Sequence, residues 1–397
     1  MTTRDGLAAW RLGVALAVSL LILPALAPPA QAQSFGDAFV NALTNSCQGT
    51  SGSWGPRLDA ICTSSPGAAA ATGALSIDTR GVGEEQRILK RLRERRDGGG
   101  SGGDETDGAL GLRGLGLFVS SDYQSFEKGV TRFEPGYDRD TWGGAVGADY
   151  SFGGRAVVGL AVNYSHAAGT FSRHGGTFDT DAYGATLYAS VLPAPNLFVD
   201  LLAGYTRRDY TVDRRYSFEN ANAAIPVAIA HGNTNGNEFK AGVNAGYDFV
   251  VGRFTAGPRV GFNFRENHID SYAERGGTGL EVAYDRQHQT SFTSTLGAFG
   301  SMAISTGIGV LVPQATFEWV HELQDDQRVI YFHFVEDLGA NRIRFQTDKP
   351  DRDYFNAGVG VVLVLPRGLS PFFNFREFFG YRSQSSHTFT VGLRFAF

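Results

Sequence analysis

The sequence predicts an all-β fold: a transmembrane antiparallel β-barrel of about twelve strands over residues 112–397, preceded by an N-terminal helix. Three observations carry this expectation. Apolar and polar residues alternate with period 2 in runs of about ten residues, the length a tilted strand needs to cross a bilayer. The connections between runs alternate between long and short. The composition, with 52 Gly, 30 Phe and 15 Tyr against 2 Met and 2 Cys, suits small inward positions and an aromatic outer surface. Mean hydropathy is slightly negative, which excludes a bundle of transmembrane helices. A barrel escapes that test because only alternate residues face lipid.

Twelve runs are legible, near 113–121, 141–152, 156–166, 180–191, 197–210, 237–249, 254–265, 290–304, 310–323, 354–365, 371–379 and 387–397. The last is representative: Phe389, Val391, Leu393, Phe395 and Phe397 alternate with Thr388, Thr390, Gly392, Arg394 and Ala396. Gly153-Gly154-Arg155 joins the second and third runs, whereas 122–140, 211–236, 266–289 and 324–353 are long. A soluble sandwich has no reason to sort its loops this way. An even strand number returns both ends to one side, and closure removes sheet edges that hydrocarbon cannot solvate.

Ahead of the barrel, Arg4 and Arg11 supply a positive region before the apolar core Leu12–Leu23, Pro24 ends it, and Ala30-Gln31-Ala32 fits a signal-peptidase site with cleavage before Gln33. Cys47 and Cys62 then follow on an exported chain, so a disulfide closing this small loop is expected. Residues 33–82 read as low-complexity sequence without sustained periodicity. The one helix expected is 83–97, with acids in its first turn (Glu84, Glu85) and bases in its last (Arg93, Arg95, Arg96), as the helix dipole favours. Ile88, Leu89 and Leu92 give it only a thin apolar stripe. A Gly-rich linker, 98–111, leads into the barrel.

Leu296-Gly297, the run Val312-Pro313-Gln314-Ala315-Thr316-Phe317-Glu318-Trp319-Val320-His321-Glu322 and the ending Gly392-Leu393-Arg394-Phe395-Ala396-Phe397 resemble the translocator (β-domain) of type V autotransporters. The resemblance covers residues 112–397 and the preceding helix, and implies a twelve-stranded barrel with that helix in the lumen. The residues agree: Arg87, Lys90, Arg91, Arg93, Arg95 and Arg96 make the helix net positive, and the alternation turns Asp149, Asp200, Asp248, Glu318 and Glu322 inward as acidic partners. The terminal pattern Phe389, Val391, Leu393, Phe395, Phe397 resembles the signal read by the barrel-assembly machinery. Two features depart from the family pattern. Only 33–82 is present as a passenger, and the helix lacks the Asn of self-cleaving members, so no self-cleavage is expected.

No catalytic, cofactor-binding or metal site is expected. Gly99-Gly100-Ser101-Gly102-Gly103 satisfies G-x-S-x-G but lies in a linker, not on a strand–helix elbow. Ser165 and His166 are adjacent on a strand and so face opposite ways. The eight histidines show no close strand-paired spacing with carboxylates. The charges of 324–353 read as solvated loop charges, with cation or lipopolysaccharide contact as the alternative. A net charge of -5 gives no reason to invoke nucleic acid. The expected function is translocation or display of the short N-terminal segment, with a loop adhesin or a small-solute pore as alternatives. The expected partners are outer-membrane lipid and lipopolysaccharide, the barrel-assembly machinery and periplasmic chaperones. The protein is expected to be a monomer in the outer membrane.

Overall fold

Alternating side chains and glycine turns fold the C-terminal three-quarters of the chain into one closed, all-antiparallel sheet. The computed structural model describes residues 35–48, 55–58, 69–71, 88–89, 91–92, 114–219, 224–276 and 278–397. The signal segment, its cleavage site, Cys62, the side chain of Cys47 and the 98–111 linker lie outside the described residues. The strands are β1 Leu115–Lys128, β2 Tyr137–Phe152, β3 Ala156–Phe171, β4 Gly176–Ala194, β5 Leu197–Glu219 and β6 Ala224–Tyr247. They continue as β7 Phe254–Ile269, β8 Gln287–Met302, β9 Gly309–Glu322, β10 Asp353–Val364, β11 Leu369–Tyr381 and β12 Gln384–Ala396. Each strand pairs with the next, and β12 pairs with β1 from Gln384↔Lys128 to Ala396↔Gly116, which closes the barrel at twelve strands.

The alternation sorts the two faces. Leu160, Leu187, Val243, Val260, Leu296, Val359 and Val391 all point outward and are exposed to the membrane side. Aromatic residues bracket this band. Tyr150 and Phe152 pack at 4.9 Å at the short-turn end, as do Tyr247 and Phe249 at 4.8 Å. Tyr123 and Trp142 pack at 4.6 Å and Tyr164 and Tyr183 at 5.1 Å at the long-loop end. Polar tips on this long-loop side find carboxylates: the Tyr164 hydroxyl donates to Asp181 at 2.7 Å and the Trp319 indole N–H to Asp353 at 2.8 Å. Amphipathic rings of this kind suit the membrane–water interface. Among the described residues, no helix is long and apolar enough to cross a membrane.

The short-turn ends fall close to where the sequence places them. Between β2 and β3, Gly153 and Gly154 adopt φ of 57° and 69°, the paired left-handed geometry of a tight hairpin turn, and Arg155 N–H donates to Phe152 O at 3.1 Å. The long-loop ends differ. β5 and β6 have 23 and 24 residues, roughly twice the 9–11 needed to span. The excess rises beyond the lipid band, where outward residues need no longer be apolar and the alternation that marks a strand fades.

Two corrections concern this long-loop end. Segments 266–289 and 324–353, expected as long outer loops, build a second antiparallel sheet from Tyr272–Ala273, Val282–Tyr284, Val329–Phe334 and Ile343–Gln346. Part of 33–82, expected to lack regular structure, forms a 14-residue helix, α1, Phe35–Gln48. Phe35, Ala38, Phe39, Ala42 and Leu43 follow helical spacing, and Asp37 lies in the first turn, where the helix dipole favours an acid. The Gly, Ser and Thr on either side dilute that signal when the segment is averaged.

Candidate functional site in the lumen and its outer cup

The functional geometry lies along the barrel axis and has two parts. At the short-turn end, Ile88, Leu89, Arg91 and Leu92 are helical. Ile88, Leu89 and Leu92 pack against Phe118, Ala145, Val157, Ala161, Tyr188 and Leu202, all inward-facing wall residues. The thin apolar stripe therefore finds an apolar seat within an otherwise polar lumen. Arg91 Nε donates to Asp149 Oδ2 at 2.6 Å, with both side chains at 4% exposure or less. The Tyr188 hydroxyl donates to the same carboxylate oxygen at 3.2 Å, and the Arg91 guanidinium lies 5.3 Å from the Phe118 ring centre. A charge-assisted bond at this depth fixes the rotation of the helix about its own axis.

The other predicted lumen groups divide. Asp149, Asp200, Asp248, Glu318 and Glu322 all face inward, as the alternation requires. Only Asp149 is seen to meet a helix arginine; Arg87, Lys90, Arg93, Arg95 and Arg96 lie outside the described residues. Several acids instead bond within the wall. Ser190 donates to Asp200 at 2.6 Å, Arg259 pairs with Asp248, and Arg376 pairs with Glu318 at 2.5 Å. Glu322 accepts from Ser291 Oγ at 2.6 Å and from the amides of Phe292 and Gln324. Glu238, which the sequence reading missed, takes Arg208 at 3.0 Å and lies 3.8 Å from Arg265. Its signal was present: it is an acid on the inward parity of β6, flanked across the sheet by arginines.

The outer cup is the second part. α1 buries Ala38, Phe39 and Leu43 against Tyr216, Val282, Ile330, Phe332, Phe334 and Phe345, in one cluster that reaches Phe126, Tyr137, Phe171 and Phe178 on the inner wall. Phe39 meets Phe334 edge-on at 5.1 Å. Beneath it, Arg214 forks onto Glu274 with bonds of 2.8 and 2.6 Å and donates to Leu280 O at 2.9 Å. Residues 55–58 dock beside α1. Glu336 accepts the Arg57 and Leu58 amides at 3.0 and 3.2 Å, and Leu58 is fully buried.

Electrostatics hold the cup's own loops. Burial alone would push the Glu281 carboxyl up, but the Thr278 and Gly279 amides donate to it and keep it below its ordinary range. Hydrogen bonds from Arg352 and Lys349 lower Asp325 in the same sense. Glu134, buried against Lys128 and Asp348, is instead raised by its desolvation.

The final strand carries Phe389, Val391, Leu393 and Phe395 on its outward parity, and the Phe397 N–H donates to Leu115 O at 3.0 Å, which ties the C-terminus to β1. Ser165 and His166 do face opposite ways, and Ser101 lies outside the described residues. The expectation that no histidines pair across strands near a carboxylate is corrected by the β7–β8 register, which sets His268 opposite His288 with Glu266 two residues away. Loop length hides such a pairing in the sequence.

Three comparisons bear on this architecture. The translocator domain of the autotransporter NalP from Neisseria meningitidis superimposes with a TM-score of 0.59 at 15% identity, over 79% of this chain and 96% of that one. The β-domain of the Bordetella autotransporter BrkA superimposes with a TM-score of 0.52 at 16% identity, over 72% and 100%. At these identities the likeness is one of fold. The Escherichia coli (strain K12) protein YaiT is 31% identical over 119 residues, 29% of this chain, and the match spans only 11% of YaiT. The family model described as autotransporter β-domain matches residues 117–376, from the first barrel strand into the eleventh. Closed around a lumenal helix and matched along most of its wall, the chain belongs to the autotransporter β-domain family of outer-membrane barrels.

Proposed function

We propose that this barrel carries its own N-terminal segment through its lumen and retains it at the outer mouth, as a display device whose passenger is the short stretch after the signal peptide. One observation carries the reading: residues 35–48 and 55–58 pack at the long-loop end, whereas residues 88, 89, 91 and 92, later in the chain, sit in the lumen at the short-turn end. A segment left on the periplasmic side would have no route to Phe332 and Phe334.

Under this proposal the signal peptide is removed before Gln33. Periplasmic chaperones and the barrel-assembly machinery, which would read Phe389, Val391, Leu393, Phe395 and Phe397, then deliver the chain to outer-membrane lipid and lipopolysaccharide as a monomer. The α1 cup and the helix seat serve binding and sealing, and no catalytic step is assigned to the chain. The test is an epitope tag just after Gln33, protease shaving of intact cells and blotting of the outer-membrane fraction. The reading expects the tag to be cleaved from intact cells while the barrel survives. A tag protected until the outer membrane is permeabilised refutes it.

A further inference from the structure

Histidines collect on the outward face of the barrel at its long-loop rim. His231 lies 2.7 Å from Asp213 and His321 2.9 Å from Asp353, and His166 lies 3.0 Å from Asp181 and 3.9 Å from Asp179, each a single ring among carboxylates. Such pairs need nothing more than a hydrogen bond at a wet interface. The β7–β8 hairpin is different. The register sets His268 directly across from His288, and their rings stack 4.5 Å apart at 15°. Glu266, on the same outward parity of β7, brings Oε1 to 3.1 Å from His288 Nε2 and 4.0 Å from His268 Nε2.

We propose that Glu266, His268 and His288 form a binding site for a borderline transition-metal ion of the zinc or copper class, on the outer rim of the barrel wall. Two imidazoles and one carboxylate suit such ions and are a poor match for calcium or magnesium, which take oxygen ligands. The spacing is close to that required. Metal–ligand bonds of about 2.0–2.2 Å in a tetrahedron place donor atoms roughly 3.3 Å apart. One ligand atom from each residue already lies within 4.8 Å of the other two. Closing the set takes side-chain rotation alone, because the backbones are held by an unbroken ladder from Gln287↔Ile269 to Met302↔Phe254.

A simple ion pair explains the cluster less well. One histidine satisfies one carboxylate, as at His321, whereas here a second imidazole stacks on the first beside the same carboxylate. A metal ion accounts for both rings, because neutral imidazole is a ligand. The Thr290 hydroxyl also lies 3.1 Å from His288 Nε2, the nitrogen that faces Glu266. Three protein donors leave a fourth coordination position facing outward, open to water or an exogenous ligand.

The test uses the full chain, purified from outer membranes in detergent without a polyhistidine tag and titrated calorimetrically with zinc alone. Copper(II) electron paramagnetic resonance supplies an independent readout. One saturable equivalent is expected, with nitrogen hyperfine structure from two imidazoles. His268→Ala, His288→Ala and Glu266→Gln each weaken binding by at least about tenfold, on the scale of lost metal-site contacts. His321→Ala, which removes a rim histidine outside the cluster, leaves binding unchanged. Heat-modifiable gel migration checks that each variant is a closed barrel. Absence of a saturable equivalent, or binding that persists in the His268→Ala/His288→Ala double variant, overturns the proposal.

Discussion

Replacing Arg91 by Ala tests the lumen seat directly. Ile88 and Leu92 are almost fully buried, and each contributes about 1.5–3 kcal/mol by leaving water. The Arg91–Asp149 bond of 2.6 Å adds about 1.5–3 kcal/mol as a charged hydrogen bond, below the full cost of breaking an ion pair in a dry core because other lumen groups are polar. The apolar contacts therefore hold the helix in place, and the ion pair sets its orientation. Arg91→Ala loosens the seat by about 10- to 150-fold, and Asp149→Asn by a similar factor. The double variant is no worse than either single one, because each single change already loses the same bond. The assay is the fraction of time a single barrel conducts in a planar bilayer, read across the four members of the cycle, with thermal denaturation as the control on the wall. Single variants that stay as closed as the parent, or effects that simply add with coupling under about 0.5 kcal/mol, refute the reasoning.

Three further outcomes follow from the cup. Phe39→Ala removes a ring at 1% exposure and costs α1 about 3–5 kcal/mol of docking, seen as faster protease cleavage near residue 40 on intact cells with an unchanged barrel. Arg214→Ala leaves the buried Glu274 without its cation, held only by the Val282 amide, costs about 3–5 kcal/mol locally, and raises hydrogen exchange across Val282–Tyr284 and Val329–Phe334. Acidification also loosens the cup. The carboxyls of Glu281 and Asp325 are held below their ordinary values, so their contribution is complete above the ordinary carboxylate range, about pH 4, and is lost as pH falls through the lowered values. Glu134, raised by burial, has the opposite sign and takes up its proton first. Exchange protection of the outer sheet should therefore hold down to about pH 4 and fall below it, with protection of the lower barrel unchanged.

By itself the sequence determined the barrel, its strand number, the faces of its strands and the short-turn boundaries. The reason is that a lipid-facing strand cannot hide: each outward residue such as Leu160 or Val391 has to be apolar, and each turn such as Gly153-Gly154 has to accept left-handed backbone. The same parity turned Asp149, Asp200, Asp248, Glu318 and Glu322 inward before any partner was known. Tertiary structure decided what those groups meet, because an inward acid chooses among every base that reaches it in the lumen. Asp149 took the helix arginine, whereas Asp248 and Glu318 took Arg259 and Arg376. It also decided the outer cup. Above the lipid the outward face loses its apolar constraint, the period fades, and Phe39, Phe332 and Phe345 become a core only once α1 and two distant loops are brought together. The Glu266, His268 and His288 cluster is of the same kind, since only the register of β8 on β7 brings His288 to the other two.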